Sequence, residues 1–138
     1  MDMLPPVPRL TILGYVRSSL TERDEAPKQG AEGAPEAWIE LDDFYAPALA
    51  GLAPSQRVLL VTWLHQGDRT TLQCHPRGDK TKPKRGVFST RSPDRPNPLG
   101  LHEVEILEIA APARLRVGPL EAIDGTPVVD IKSMDWKP

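Results

Sequence analysis

The densest chemistry in the chain lies between Gly86 and Gly100, GVFSTRSPDRPNPLG. Ser89, Thr90, Arg91, Ser92, Arg95 and Asn97 share that stretch with Pro93, Pro96 and Pro98. Prolines reduce the conformational freedom a loop gives up when it takes one shape. Guanidinium forks suit phosphate, carboxylate or an aromatic face, and asparagine both donates and accepts. A stiff loop that displays such groups positions a ligand. The same arginines can instead pair with Asp or Glu and hold the loop, and composition does not separate the two readings.

A second cluster, Arg77, Lys80, Lys82, Lys84 and Arg85, is the natural seat for an RNA backbone, with a solvated loop as the alternative. His65 has the intrinsic pKa of a general base, or else it is a structural strand-end histidine. Asp124 and Glu121 rank behind it, since Asp124 can shape a turn through its side chain. Asp130 and Lys132 read as a structural pair. Cys74, His75, His65 and His102 lack metal-ligand spacing, so no metal is expected. No nucleophile elbow and no G-x-G-x-x-G follow a strand, so neither a hydrolase triad nor a Rossmann site is expected.

These residues must be carried by short elements. Arg9–Val16 reads as a strand weakened by Gly14, and Ser18–Pro35 as a long polar loop. Ala37–Leu41 alternates as a half-buried strand does, and Asp42 or Asp43 caps a helical turn through Tyr45–Leu52. Arg57–Leu64 is the strongest buried strand. Thr71–Cys74, Val87–Thr90, Leu101–Ile109 and Leu115–Val117 follow as strands, and Asp124–Ile131 as a turn and a last strand. Many short strands with turns between them indicate a mainly β, small single-domain β-barrel or sandwich with short helical turns. It would span 1–138, with 1–8 a loose lead-in. Tyr15, Trp38 and Trp63 are expected in the core.

Composition agrees. With 138 residues, one domain with a real core is expected, and 16 prolines favour shaped loops. Aromatics are only 5%, so the core must rest on Val, Leu and Ile. One cysteine excludes an intramolecular disulfide and fits a reducing cytoplasm. Met1–Leu20 has no apolar run long enough for a signal or a span. Net charge is −2, yet residues 51–100 hold 9 basic and 3 acidic side chains between two acidic flanks. Such a block can meet phosphate or carboxylate.

The run from Gly86 through Leu101 resembles the signature of the TsaA-like family. Three further stretches agree in order and character: Ala26–Gly30, with Lys28 where the family usually has arginine; Leu64-His65-Gln66 after the buried strand; and Asp124–Lys132. The similarity extends from about Leu10 to Lys132. It implies a small β-barrel unlike the Rossmann methyltransferases, and S-adenosylmethionine as cofactor. The implied reaction methylates the exocyclic nitrogen of threonylcarbamoyl-adenosine in tRNA. Expected partners are tRNA and a second copy of the chain, with no DNA and no membrane. Cofactor contacts carry over to Pro27, Lys28, Gln29, His65, Gln66, Arg91, Leu101, Asp124, Gly125, Thr126 and Pro127. Among these, His65, Arg91 and Asp124 are the catalytic candidates. Arg95 joins the basic loop as a candidate RNA contact. Ser133-Met134 replaces the usual Pro-Tyr, and Glu121 stands where aspartate is frequent. A barrel that binds the cofactor to act on another acceptor, or as a sensor, is the alternative.

Overall fold

The computed structural model describes residues 6–23, 26–27 and 33–137. Its strands are β1 (Gly14–Arg17), β2 (Ala37–Leu41), β3 (Arg57–Trp63), β4 (Gln73–Cys74), β5 (Arg85–Gly86), β6 (Leu99–Ala110), β7 (Arg114–Gly118) and β8 (Pro127–Ser133). Six of them close an antiparallel barrel in the order β1-β2-β7-β6-β3-β8, and β4 pairs with β5 as a separate hairpin. The barrel shuts where Gly14 faces Val128 and Tyr15 faces Pro127.

Period-two alternation fills the interior. Val16, Ile39, Val58, Leu60, Val104, Ile106, Leu115, Val117 and Val128 point inward and are almost wholly buried. The expected reliance on Val, Leu and Ile is therefore what the core displays. The aromatic expectation is corrected by the same alternation. Tyr15 and Trp38 neighbour inward Val16 and Ile39, so they face out, and Tyr15 is 44% exposed. Trp38 and Trp63 lie on the outer wall under the guanidinium groups of Arg114 and Arg69, at 4.6 and 5.0 Å.

Two boundaries also differ from expectation. Asp42 caps a 3-10 helix over Asp43–Leu49, its carboxylate accepting from the Phe44 amide at 2.9 Å. Val87–Ser89 is a 3-10 turn and not a strand. There the Ser89 and Thr90 hydroxyls donate to the carbonyls of Gly86 and Val87, competing with a ladder for those acceptors. Asp130 and Lys132 do pair, at 3.1 Å on the surface. Among the described residues no helix is long and apolar enough to cross a membrane.

Candidate functional site

The loop from Arg91 to Pro98 runs between the turn at Val87–Ser89 and the start of β6, and its shape is fixed from several sides. Asp94 Oδ1 accepts from Arg23 Nη2 and from the Asp68 amide, both at 2.9 Å. Arg23 also donates to the Gln66 carbonyl at 3.1 Å, so one side chain joins the segment after β1, the turn after β3 and this loop. Arg69 Nε donates to the Pro96 carbonyl at 2.8 Å, and its Nη2 reaches Asn97 Oδ1. Gly67 allows the two turns to meet, because a β-carbon there would lie 2.2 Å from the Pro93 carbonyl oxygen.

Within this frame the polar residues divide. Arg95 Nη1 donates to the carbonyls of Thr90 and Ser92 at 3.0 and 3.1 Å, so it staples its own loop. Asn97 is held by Arg69. Arg91 is exposed and makes no hydrogen bond or ion pair among the described residues. It is the cation the loop presents.

A cavity of about 1540 Å³ opens beside the loop. It exceeds the ~300–1,000 Å³ of an ordinary small-molecule pocket. Pro27, His65, Gln66, Arg91, Leu101 and Thr126 all line it, though they come from four separate stretches of sequence. Lys28 and Gln29 lie outside the described residues. Asp124 instead lines a smaller cleft of about 400 Å³ with Arg17, Trp38 and Arg116. Its Oδ1 accepts from the Ser18 amide at 3.0 Å. The amides of Asp124, Gly125 and Thr126 donate to the carbonyls of Leu20, Val16 and Ile123. The backbone amides of Asp124, Gly125 and Thr126 are therefore not offered to a ligand.

The basic cluster sits on the hairpin between β4 and β5. Arg77, Lys80 and Arg85 line the main cavity, and Lys82 and Lys84 extend the positive surface beyond it. Asp79 and His75 shape this loop. Asp79 accepts from the Thr81 amide and hydroxyl, which holds its carboxyl below the usual carboxylate range, and His75 Nδ1 donates to the Lys82 carbonyl at 2.9 Å. Among the described residues no group of three or more His, Cys, Asp and Glu side chains is arranged to hold a metal.

Sequence reasoning missed one constellation. Inside the barrel mouth, His102 Nδ1 meets Glu121 Oε1 at 2.5 Å, and its Nε2 meets Thr62 Oγ1 at 2.7 Å. A carboxylate only accepts, so Nδ1 carries the proton. His102 and Glu121 both line the main cavity. Strand parity was the available signal. His102 shares the inward face of Val104 and Ile106, and Thr62 that of Val58 and Leu60.

Known proteins share this architecture. Residues 15–135 match the family model described as the tRNA-methyltransferase O N-terminal domain. A probable S-adenosyl-L-methionine-binding protein of Methanothermobacter thermautotrophicus is 44% identical over 124 residues, covering 90% of this chain and 88% of that one. An S-adenosyl-L-methionine-binding protein of Archaeoglobus fulgidus is 40% identical over 120 residues, covering 87% and 84%. A crystal structure of TrmO from Pseudomonas aeruginosa is similar at a TM-score of 0.74 and 28% identity, covering 96% of this chain. This chain spans only 61% of that TrmO chain.

Proposed function

The chain belongs to the family of the tRNA-methyltransferase O N-terminal domain, and from that premise we propose that it is an S-adenosylmethionine-dependent methyltransferase of the cytoplasm. Its acceptor is the exocyclic nitrogen of threonylcarbamoyl-adenosine in tRNA. One observation carries the reading: Pro27, His65, Gln66, Arg91, Leu101 and Thr126 converge on one cavity from four stretches of sequence.

The donor set suits this cofactor. Arg91 offers a guanidinium to a carboxylate tail. Leu101 and Ile123 supply apolar surface for a planar base. When bound, S-adenosylmethionine supplies a methyl group already activated by its sulfonium. The protein's part is then to align the acceptor and exclude water, and the stapled Arg91–Pro98 loop provides the rigidity that alignment demands. The Arg77–Arg85 hairpin, contiguous with the cavity through Arg77, Lys80 and Arg85, is placed to hold phosphates while the base enters. Arg95 contributes by shaping the loop.

A second copy of the chain completes the working unit. Phe88, Leu99 and Leu101 stand exposed along the same groove, Phe88 by 85%, and an apolar strip of that kind marks an association surface. Light scattering at micromolar concentration should read a dimer.

Calorimetry with S-adenosylmethionine, followed by incubation with tRNA bearing threonylcarbamoyl-adenosine and nucleoside mass spectrometry, tests the whole reading. Binding with a methylated nucleoside supports it. Binding without transfer favours a cofactor-binding barrel with another acceptor or a sensing role, and two relatives are named for S-adenosyl-L-methionine binding alone. Absence of binding overturns both.

A further inference from the structure

We propose that Glu121 is the proton acceptor of the transfer reaction, and that His102 and Thr62 are the positioning residues that aim it. This rests on the methyl-transfer reading above. A nitrogen that gains a methyl group while staying neutral must lose a proton, and some group must be placed to receive it.

The three side chains form one line into the barrel. Thr62 is fully buried, the His102 side chain is 4% exposed, and the Glu121 side chain is 17% exposed. Both imidazole nitrogens are already engaged, Nε2 by Thr62 and Nδ1 by Glu121. The ring therefore has no nitrogen free for a substrate, and of the two members that line the cavity the carboxylate is the more exposed. Gly100 makes this arrangement possible. A β-carbon there would lie 2.6 Å from Thr62 Oγ1 and 2.7 Å from His102 Nε2. The residue that ends the signature loop is thus also the one that leaves space for the relay behind Glu121.

The rival bases are less well held or less well placed. His65 lies exposed on the turn after β3. Asp124 faces the other cleft and is engaged by the Ser18 amide. The other charged groups that line the cavity are Arg91, Arg95, the Arg23–Asp94 and Arg57–Glu103 pairs and, from the basic hairpin, Arg77, Lys80 and Arg85. Apart from His102, His65 and His75 are the histidines that must be separated from Glu121 in a pH profile.

In the transfer step the acceptor nitrogen forms the new N–C bond, and the methyl's old bond to sulfur breaks with its electron pair left on sulfur. The N–H proton ends on Glu121 Oε2. Oε1 stays with His102 throughout.

Glu121→Gln keeps the volume and removes the base. Its kcat should fall by about 100-fold or more, the scale of general-base catalysis, while the calorimetric affinity for S-adenosylmethionine stays within about threefold. The acid limb of the wild-type pH–rate profile should vanish in this variant and persist in His65→Gln. His102→Gln should lower kcat without changing KM and move that limb, which a purely structural role would not do. A second readout needs no turnover: the imidazole nitrogens of His102, followed by NMR, should shift when S-adenosylhomocysteine saturates the protein. Full turnover by Glu121→Gln, or a decrease explained by cofactor affinity, overturns the proposal. If the wild-type chain binds cofactor but methylates no tRNA, the functional reading fails, and the imidazole signals decide whether this relay faces the occupied cavity. A shift supports that placement, and unmoved signals overturn it.

Discussion

Gly100 stands so close to Thr62 that a β-carbon on it would lie 2.6 Å from the threonine hydroxyl oxygen. That hydroxyl is buried and bound to His102, so neither partner can withdraw into solvent. Gly100→Ala should therefore destabilise the fold by about 1–3 kcal/mol, the usual cost of overpacking a filled core. Urea denaturation measures it. An unchanged midpoint would mean that β6 gives way locally and that the relay tolerates displacement.

The barrel was legible because its strands alternate. Ala37–Leu41 reads as a half-buried strand and is one, while Arg57–Leu64, expected as a buried strand, is a strand over Arg57–Trp63 with only alternate residues buried. The same rule, carried one step further, would have put Trp38 and Trp63 outside, opposite to the general expectation that tryptophan is buried. It would also have marked Thr62 and His102 as inward polar groups needing partners. Glu121 reads as a general-base candidate behind His65 and as a departure from a family pattern, and nothing local to position 121 says that a histidine 19 residues earlier receives it. Arg23 was illegible for the same reason: its two acceptors, Gln66 and Asp94, are 43 and 71 residues away. Motifs located the cavity, but only three-dimensional pairing separated the residues that hold the loop, Arg95 and Asn97, from the one it presents, Arg91.

Asp94 offers a way to loosen the loop without touching the cavity's own ligand groups. Its carboxylate joins Arg23 to the Asp68 amide, and the ion pair is partly exposed, with side chains 42% and 31% accessible. Such pairs contribute roughly 0–1 kcal/mol to stability. Asp94→Ala should accordingly leave the thermal midpoint nearly unchanged yet weaken cofactor binding severalfold, because a loop that samples other shapes must be ordered on binding. Calorimetry beside thermal denaturation separates the two effects. Equal losses in both would show that Asp94 supports the fold as a whole.

Arg91 is the converse case. With no partner among the described residues, its removal should cost the fold little. Arg91→Ala should weaken S-adenosylmethionine binding by about tenfold or more, the effect of removing one charge-assisted pair. Arg91→Lys should restore only part of it, since an ammonium cannot match a planar fork. Undiminished affinity in the alanine variant would remove Arg91 from the groups that hold the cofactor.

Acid should probe the turn that precedes the basic hairpin. The Thr70 hydroxyl and amide both donate to Asp68 and hold its carboxyl below the usual carboxylate range. A depressed folded value means that the associated stabilisation is present above the ordinary carboxylate value and is lost as pH falls through the folded one. Thr70→Val removes the largest contribution. The gap in thermal midpoint between wild type and variant should be open at pH 7 and narrow as pH drops below the usual carboxylate range. A gap that stays constant with pH would assign the effect of Thr70 to packing.

The hairpin itself is tested by salt. Lys80, Lys82 and Lys84 are exposed, and their loop is shaped by Asp79 and His75 through backbone and threonine hydrogen bonds that do not involve the lysine ammonium groups. Replacing all three by alanine should therefore leave the hairpin's shape and the cofactor affinity intact. If these lysines neutralise phosphates, each ammonium removed should reduce the slope of log affinity against log salt by roughly 0.7–0.9. Removing all three would make tRNA binding markedly weaker at low salt and almost indistinguishable from wild type at high salt. Filter binding across a salt series, with cofactor affinity measured in parallel, reads both quantities. An unchanged slope would place the RNA on another face of the barrel, and the cavity would then have to receive its base from the opposite side.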